Sequence, residues 1–208
     1  MFERMKIAGL SIILSLILCA IGLLFWHQEL KYLRPTPVPR DYKVVLTNEV
    51  LRFDDRLLSQ KHSKHKLLHF FSPDCPCSRF NLKHFFSLRR KYINEVDFYV
   101  VISNAERIEA TKKMIDPDIP ILIDTDKKLA TACGVYSTPQ AVLIQTDNKL
   151  YFRGNYNRSR YCIDKSSNYV QMALDSLSMQ KAPPHFSELA TKSYGCGISE
   201  DKNASLFQ

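Results

Sequence analysis

No internal repeat runs through this 208-residue sequence, which excludes a solenoid or propeller. No nucleic-acid-binding motif accompanies its net charge of +8. The basic residues, Arg89-Arg90-Lys91 included, are spread along the chain and not gathered in one arm. They read as a solvated surface, and no nucleic acid is expected as a partner. Cysteine is too scarce and too unevenly placed for a disulfide-stapled miniprotein: six residues, at 19, 75, 77, 133, 162 and 196. Nor is the chain poor in apolar residues; with 45% hydrophobic and 24% charged, disorder is excluded as the default. Its length leaves room for one domain with a sizeable core, plus appendages.

Charge is missing altogether from Ile7 to Trp26, about the length a helix needs to cross hydrocarbon. No small-x-small cleavage site closes that stretch, so it reads as an uncleaved signal-anchor. Cys19 does not read as a lipid-carrying residue, because Leu18 before it is not small and the apolar run continues. Residues 1–6 would be a cytoplasmic N-terminus and 7–26 a single transmembrane anchor, with Trp26 and Tyr32 at the interface. Positive charge gives the opposite orientation: Arg4 and Lys6 precede the span, whereas Lys31, Arg34, Arg40 and Lys43 follow it. Residues 27–41 form a linker, and Arg34-Pro-Thr-Pro-Val-Pro-Arg40 forces extended geometry, reading as a stiff spacer off the bilayer.

A domain over 42–182 follows, then a C-terminal tail over 183–208 that leaves the compact part at Pro183-Pro184. Val44–Leu46 reads as a short strand, and Asn48 as the cap of a helix over Glu49–Ser59. Leu67–Phe71, Phe98–Ile102 and Ile121–Ile123 are apolar runs of strand length. Helical spacing marks the stretch after Cys77, where Leu82, Phe85, Phe86 and Ile93 share a side. Further helices are expected over Glu106–Ile115, Lys127–Cys133 and Tyr169–Met179. Ala141–Ile144 and Leu150–Arg153 form a hairpin across Asp147-Asn148-Lys149. Strands alternating with helices, then a hairpin and a closing helix, predict an α/β sandwich with a mixed sheet.

Chemistry concentrates in Lys66–Asn81, KLLHFFSPDCPCSRFN. An apolar strand hands over at Ser72-Pro73-Asp74 to Cys75, Pro76 and Cys77 at the start of a helix. The unpaired N–H groups and positive partial charge of a helix N-terminus favour thiolate over thiol, and Arg79 lies one turn on. Cys75 is therefore the expected nucleophile, with Asp74 opposing its ionisation. Cys77 is the expected resolving thiol, although a Cys-x-Cys ring is small and strained. Cys196 on the tail is the alternative. Cys133 reads as core and Cys162 as a loop cysteine without an assignable partner. No organic cofactor is called for, and no metal is assigned. A copper- or zinc-binding module using Cys75, Cys77 and His62, His65, His69 or Cys196 is the reading from a different class.

Two motifs resemble the thioredoxin-like superfamily: Phe70-Phe71-Ser72-Pro73-Asp74-Cys75-Pro76-Cys77, and Gly134-Val-Tyr-Ser-Thr138-Pro139-Gln-Ala-Val-Leu-Ile144. The hairpin Asp147–Gly154 and the tail segment Ser193-Tyr194-Gly195-Cys196-Gly197-Ile198 are similar to features of redoxin-type members. The resemblance spans roughly Val44 to Ile198 and implies a thioredoxin-like sandwich, a cis Pro139, and substrate contacts through Thr138. It departs from the pattern at Asp74, where a tryptophan is usual, and at Ser78, where the resolving cysteine usually stands. The function implied is a membrane-anchored thiol–disulfide oxidoreductase acting on protein thiols and disulfides, with an unidentified redox partner protein. A strained dithiol would idle in a reducing cytosol, so the domain is expected on the periplasmic face of the inner membrane. A peroxiredoxin-like peroxidase is a further alternative, on the strength of Ser72 three residues before Cys75.

Overall fold

The computed structural model describes residues 2–53, 64–159 and 161–198. It falls into two units, Met1–Arg34 and Pro35–Gln208. The first is one helix, α1 (Phe2–Leu33), within which Arg4–His27 is long and apolar enough to cross a membrane. Such a helix serves an anchor or a signal equally well by length and composition.

The second unit is built on a five-stranded sheet in the order β3-β2-β1-β5-β6. Its strands are β1 (His65–Phe70), β2 (Val96–Ile102), β3 (Ile121–Ile123), β5 (Gln140–Ile144) and β6 (Leu150–Gly154). Strands β1, β2 and β3 run parallel, whereas β5 is antiparallel to β1 and to β6. A strand in the middle of such a sheet meets packed side chains on both faces, which is why β1 and β2 are near-continuous apolar runs. Leu67 and Phe71 face one cluster, with Phe85, Leu88 and Tyr92 of α2 (Pro76–Tyr92) and Val170, Ala173 and Leu174 of α5 (Tyr169–Ser178). Leu68 and Phe70 face the other, with Leu129 and Cys133 of α4 (Lys128–Cys133). Helices on both faces of a mixed sheet make the α/β sandwich that the sequence predicts.

Three stretches depart from the sequence reading. Val44–Leu46 forms no strand, and Asn48 caps no helix; it sits at φ 69°, with its N–H on the Leu150 carbonyl. Leu51 bonds in turn to Asn148, so the backbone groups of 48–51 are committed to the β5–β6 hairpin and not to a helical turn. The rest of the expected helix, 54–59, lies outside the described residues, as does His62. Glu106–Ile115 becomes a 3₁₀ turn (Ala105–Arg107) and a short α3 (Ile108–Lys112); Asn104 Oδ1 caps the turn by accepting from the Glu106 N–H at 2.9 Å. The tail does not leave at Pro183-Pro184. Phe186 and Ala190 pack on the core, Ala190 within α6 (Glu188–Thr191), and the chain returns to the sheet's edge.

One buried titratable group ties the core to pH. His69, in mid-β1, is stacked on Phe85 and lies 2.8 Å from the Tyr156 hydroxyl through Nδ1. Burial holds its pKa down to about 3. In the unfolded chain it would take a proton near the usual value of about 6.5, so below that pH the unfolded state binds more protons. This contribution to stability is complete above about pH 6.5 and drains as pH falls toward 3, at up to about 1.4 kcal/mol per pH unit. His69→Phe should flatten the decline of urea-measured stability between pH 6.5 and 4 in detergent solution; slopes equal to the parent's would refute the assignment.

Candidate redox site

β1 and β2 are parallel, so both deliver their C-terminal residues to the same end of the sheet, and the site is assembled there. After Phe71 the chain turns through Pro73-Asp74, with the Cys75 N–H on the Ser72 carbonyl at 3.2 Å. Cys75 immediately precedes α2, in extended conformation, and Pro76 opens the helix, where a missing N–H is no loss. No side chain caps this helix start. The partial positive charge of the helix start is left to act on whatever stands at Cys75.

Asp74 would repel negative charge on the neighbouring sulfur, but it is ion-paired to Arg107 at 2.7 Å. Arg107 comes from the 3₁₀ turn after β2. Nothing in the local sequence links the two residues. The signal lay in the parallel pairing of β1 with β2, which brings the loops after both strands together.

Across from Cys75 stands the second motif. Ser137–Thr138 forms β4, the Thr138–Pro139 peptide bond is cis, and β5 follows. Cys75 Sγ lies 3.6 Å from the Thr138 carbonyl oxygen. Cys75, Thr138 and Pro139 are thus brought together.

The tail completes the arrangement. β7 (Cys196–Gly197) pairs antiparallel with β4, Thr138 opposite Cys196 and Ser137 opposite Gly197. Cys75 and Cys196 form a disulfide with Cα atoms 6.1 Å apart. On its other edge the tail meets the Pro-rich segment: Pro35 bridges Tyr194, the Thr36 N–H donates to the Ser193 carbonyl at 2.9 Å, and Thr36 Oγ1 donates to the Gly195 carbonyl at 3.2 Å. Buried Gln140 donates to Ser193 Oγ at 2.7 Å, and the Tyr194 hydroxyl donates to the Asn157 carbonyl at 2.7 Å. Gly195 adopts φ +115°, and a Cβ there would overlap the Thr138 carbonyl. Only glycine suits this passage.

The thiol bonded to Cys75 is Cys196, the alternative, and not Cys77, the partner that the sequence favours. Cys77 is fully buried in the first turn of α2, and positions two apart on a helix do not face each other. One turn on, Asn81 donates to the Cys77 carbonyl at 2.7 Å and accepts from Cys162 Sγ at 2.6 Å. Burial, with a contribution from Cys77, pushes the Cys162 thiol up to about 12. Cys133 is core, its thiol pushed up by burial. Ser78, at the usual resolving position, accepts a hydrogen bond from the Ser72 N–H. The Ser72 hydroxyl itself is buried and makes no hydrogen bond among the described residues. His69 belongs to the core, and among the described residues no group of three or more His, Cys, Asp or Glu side chains is placed to hold a metal.

Exposure differs across the disulfide. Cys75 is 1% exposed beneath the tail, whereas Cys196 is partly exposed. Thiol–disulfide exchange needs an accessible sulfur, and in the disulfide form that sulfur is Cys196 and not Cys75.

A family model described as a domain of unknown function (DUF6436) matches residues 43–197. No curated protein matches the chain. Among solved structures, a hypothetical protein from Sinorhizobium meliloti 1021 is similar at 21% identity and a TM-score of 0.60, over 76% of this chain and 96% of that one. An uncharacterized conserved protein from Geobacillus kaustophilus is similar at 21% identity and a TM-score of 0.60, over 78% and 97%. The thioredoxin domain of a thiol-disulfide oxidoreductase from Bacteroides vulgatus matches at 18% identity and a TM-score of only 0.45, over 57% and 94%. Likeness at these identities is one of fold.

Arg107→Ala would leave Asp74 uncompensated one residue from the sulfur. Asp74 is the exposed member of the pair and Arg107 the mostly buried one, and a pair open to solvent on one side is worth about 0.2–1 kcal/mol. Alkylation of Cys75 in the reduced variant should therefore slow by a factor of about 1.4 to 5 at neutral pH and low salt, and the deficit should shrink at high salt. An unchanged rate would show that the Asp74 charge does not reach the sulfur.

Proposed function

The chain belongs to the DUF6436 family, and we propose that it works as a membrane-anchored thiol–disulfide oxidoreductase with Cys75 as nucleophile and Cys196 as its resolving thiol. One observation carries this reading: the Cys75–Cys196 disulfide lies where an uncapped helix start faces a cis-proline loop.

In the reduced protein, the Cys75 thiolate attacks a sulfur of a substrate disulfide. One substrate thiolate leaves and a mixed disulfide forms. Cys196 then attacks Cys75 Sγ, closes the Cys75–Cys196 bond and releases the second substrate thiol. Two electrons pass from the dithiol to the substrate, and an external dithiol restores them. That donor meets Cys196 first, because Cys75 is the covered sulfur. Its attack on Cys196 expels Cys75 as the thiolate that the helix start favours. Run in reverse, the same steps oxidise a substrate dithiol. Thr138 presents its backbone to the substrate beside Pro139, and Cys77 contributes packing under α2. No organic cofactor enters the scheme.

The apolar helix serves as anchor in this reading, and the domain faces the periplasm, where a disulfide of this kind can cycle. Protease added to spheroplasts should then digest the domain; full protection would place it in the cytoplasm, as the positive charges after the span suggest.

Turnover of a disulfide-bonded protein substrate by the reduced full chain tests the chemistry. Cys75→Ser should abolish it, and Cys196→Ser should stop it at a trapped mixed disulfide visible on a non-reducing gel. Cys77→Ser should retain at least about half of the activity. If Cys77→Ser traps the intermediate while Cys196→Ser turns over normally, the resolving assignment fails.

A further inference from the structure

Resting on the oxidoreductase reading, we propose that the tail 194–198 occupies the place of the substrate, so the substrates of Cys75 are extended peptides with glycine before the reacting cysteine and a branched aliphatic residue two positions after it.

The argument begins with the bond itself. A Cys75–Cys196 disulfide and a Cys75–substrate mixed disulfide join the same sulfur to a cysteine arriving from outside the sheet. Whatever shape admits the first is the shape offered to the second. The tail lies antiparallel to β4, with Cys196 opposite Thr138, adding a strand to the loop that ends in Pro139. Strand addition supplies affinity through the backbone and selectivity through alternate side chains.

Each position makes a separate demand. Immediately before the cysteine, the backbone passes so close to Thr138 that a Cβ would overlap its carbonyl and come within 3.3 Å of Pro139 Cδ. The conformation there, φ +115°, is one that side-chain-bearing residues rarely adopt. Two positions after the cysteine, Ile198 is 6% exposed. It packs in the apolar cluster of Val45, Leu129, Ala130 and Val135, with its N–H on the Tyr136 carbonyl at 3.0 Å. A charged residue in that place would be buried among apolar groups. Two positions before the cysteine, the Tyr194 hydroxyl reaches the Asn157 carbonyl, which favours an aromatic residue with a polar tip.

The burial of Cys75 follows from the same arrangement. Its sulfur is covered because the slot is filled, and a substrate gains it by replacing the tail strand for strand. Return of the tail then expels the product.

The test uses the reduced full chain in detergent and peptides whose cysteine is held as a mixed disulfide with thionitrobenzoate. The Cys75 thiolate attacks the peptide sulfur and thionitrobenzoate leaves; Cys196 then closes on Cys75, and the peptide departs as a thiol. Four probes are compared: Ser-Tyr-Gly-Cys-Gly-Ile-Ser, the same peptide with alanine before the cysteine, the same peptide with aspartate for isoleucine, and cysteine–thionitrobenzoate. The parent peptide should release thionitrobenzoate at least about tenfold faster than each of the others, a difference that Cys75→Ser removes. Equal Cys75-dependent rates for all four would overturn the template while leaving the oxidoreductase reading intact. No Cys75-dependent release from any probe would overturn both. In Gly195→Ala, the rank order of probes should persist, while the Cys75–peptide disulfide accumulates and resolves about tenfold more slowly than in the parent. Closure at the parent rate would show that the slot does not require glycine and would overturn the proposal.

Discussion

The bond from Cys75 to Cys196 and the strand pairing beside it are one interaction, and the surroundings of the site are arranged by it. Thr138 meets Cys196, and Pro35 and Thr36 close on the far edge, so residues from both ends of the second unit converge on a single sulfur. The strand pairing would not be expected to persist without the sulfur link. Two-residue strands such as β4 and β7 are below the length at which a ladder holds in water. The covalent link removes the freedom that would otherwise separate them.

Placement of that sulfur depends on the sheet. Parallel β1 and β2 send the Cys75 turn and the Arg107 turn to the same end of the sheet, and antiparallel β5 starts there because it runs against β1. Pro139 is therefore next to Cys75 for a topological reason, although 63 positions separate Cys75 from Thr138. Burial of β1 on both faces, by α2 and α5 on one and α4 on the other, fixes its register; a slip of one residue would send Leu67 and Leu68 to opposite clusters.

Much of this was legible in the sequence because it is local. β1, β2, β3, α2 and the β5–β6 hairpin announce themselves as apolar runs, helical spacing or a turn with Asn148 at positive φ. Cys75 and Pro139 could be paired through the motifs around them. What escaped is non-local. The stretch 48–51 has the composition of a helix start, yet its backbone is taken by the hairpin. Pro35 and Thr36 read as a spacer and turn out to hold the tail, and Arg107 joins Asp74 across a gap that no periodicity spans. Pro183-Pro184 looks like an exit from the domain because prolines end helices. Whether the chain then leaves or returns is decided by Phe186 and Ala190 packing on the core.

The Cys75–Cys196 link joins residues 121 positions apart. In the chain-entropy account, a cross-link over so long a span removes on the order of 5 kcal/mol of freedom from the unfolded chain. That is comparable to the whole net stability of a small domain. In the proposed reaction, the sulfur pair that moves electrons is thus also the staple of the fold, and each reduction would loosen the molecule that carries it out. Time spent in the dithiol form would then be time exposed to proteases, and an adequate supply of oxidant would lengthen the lifetime of the protein as well as sustain its turnover.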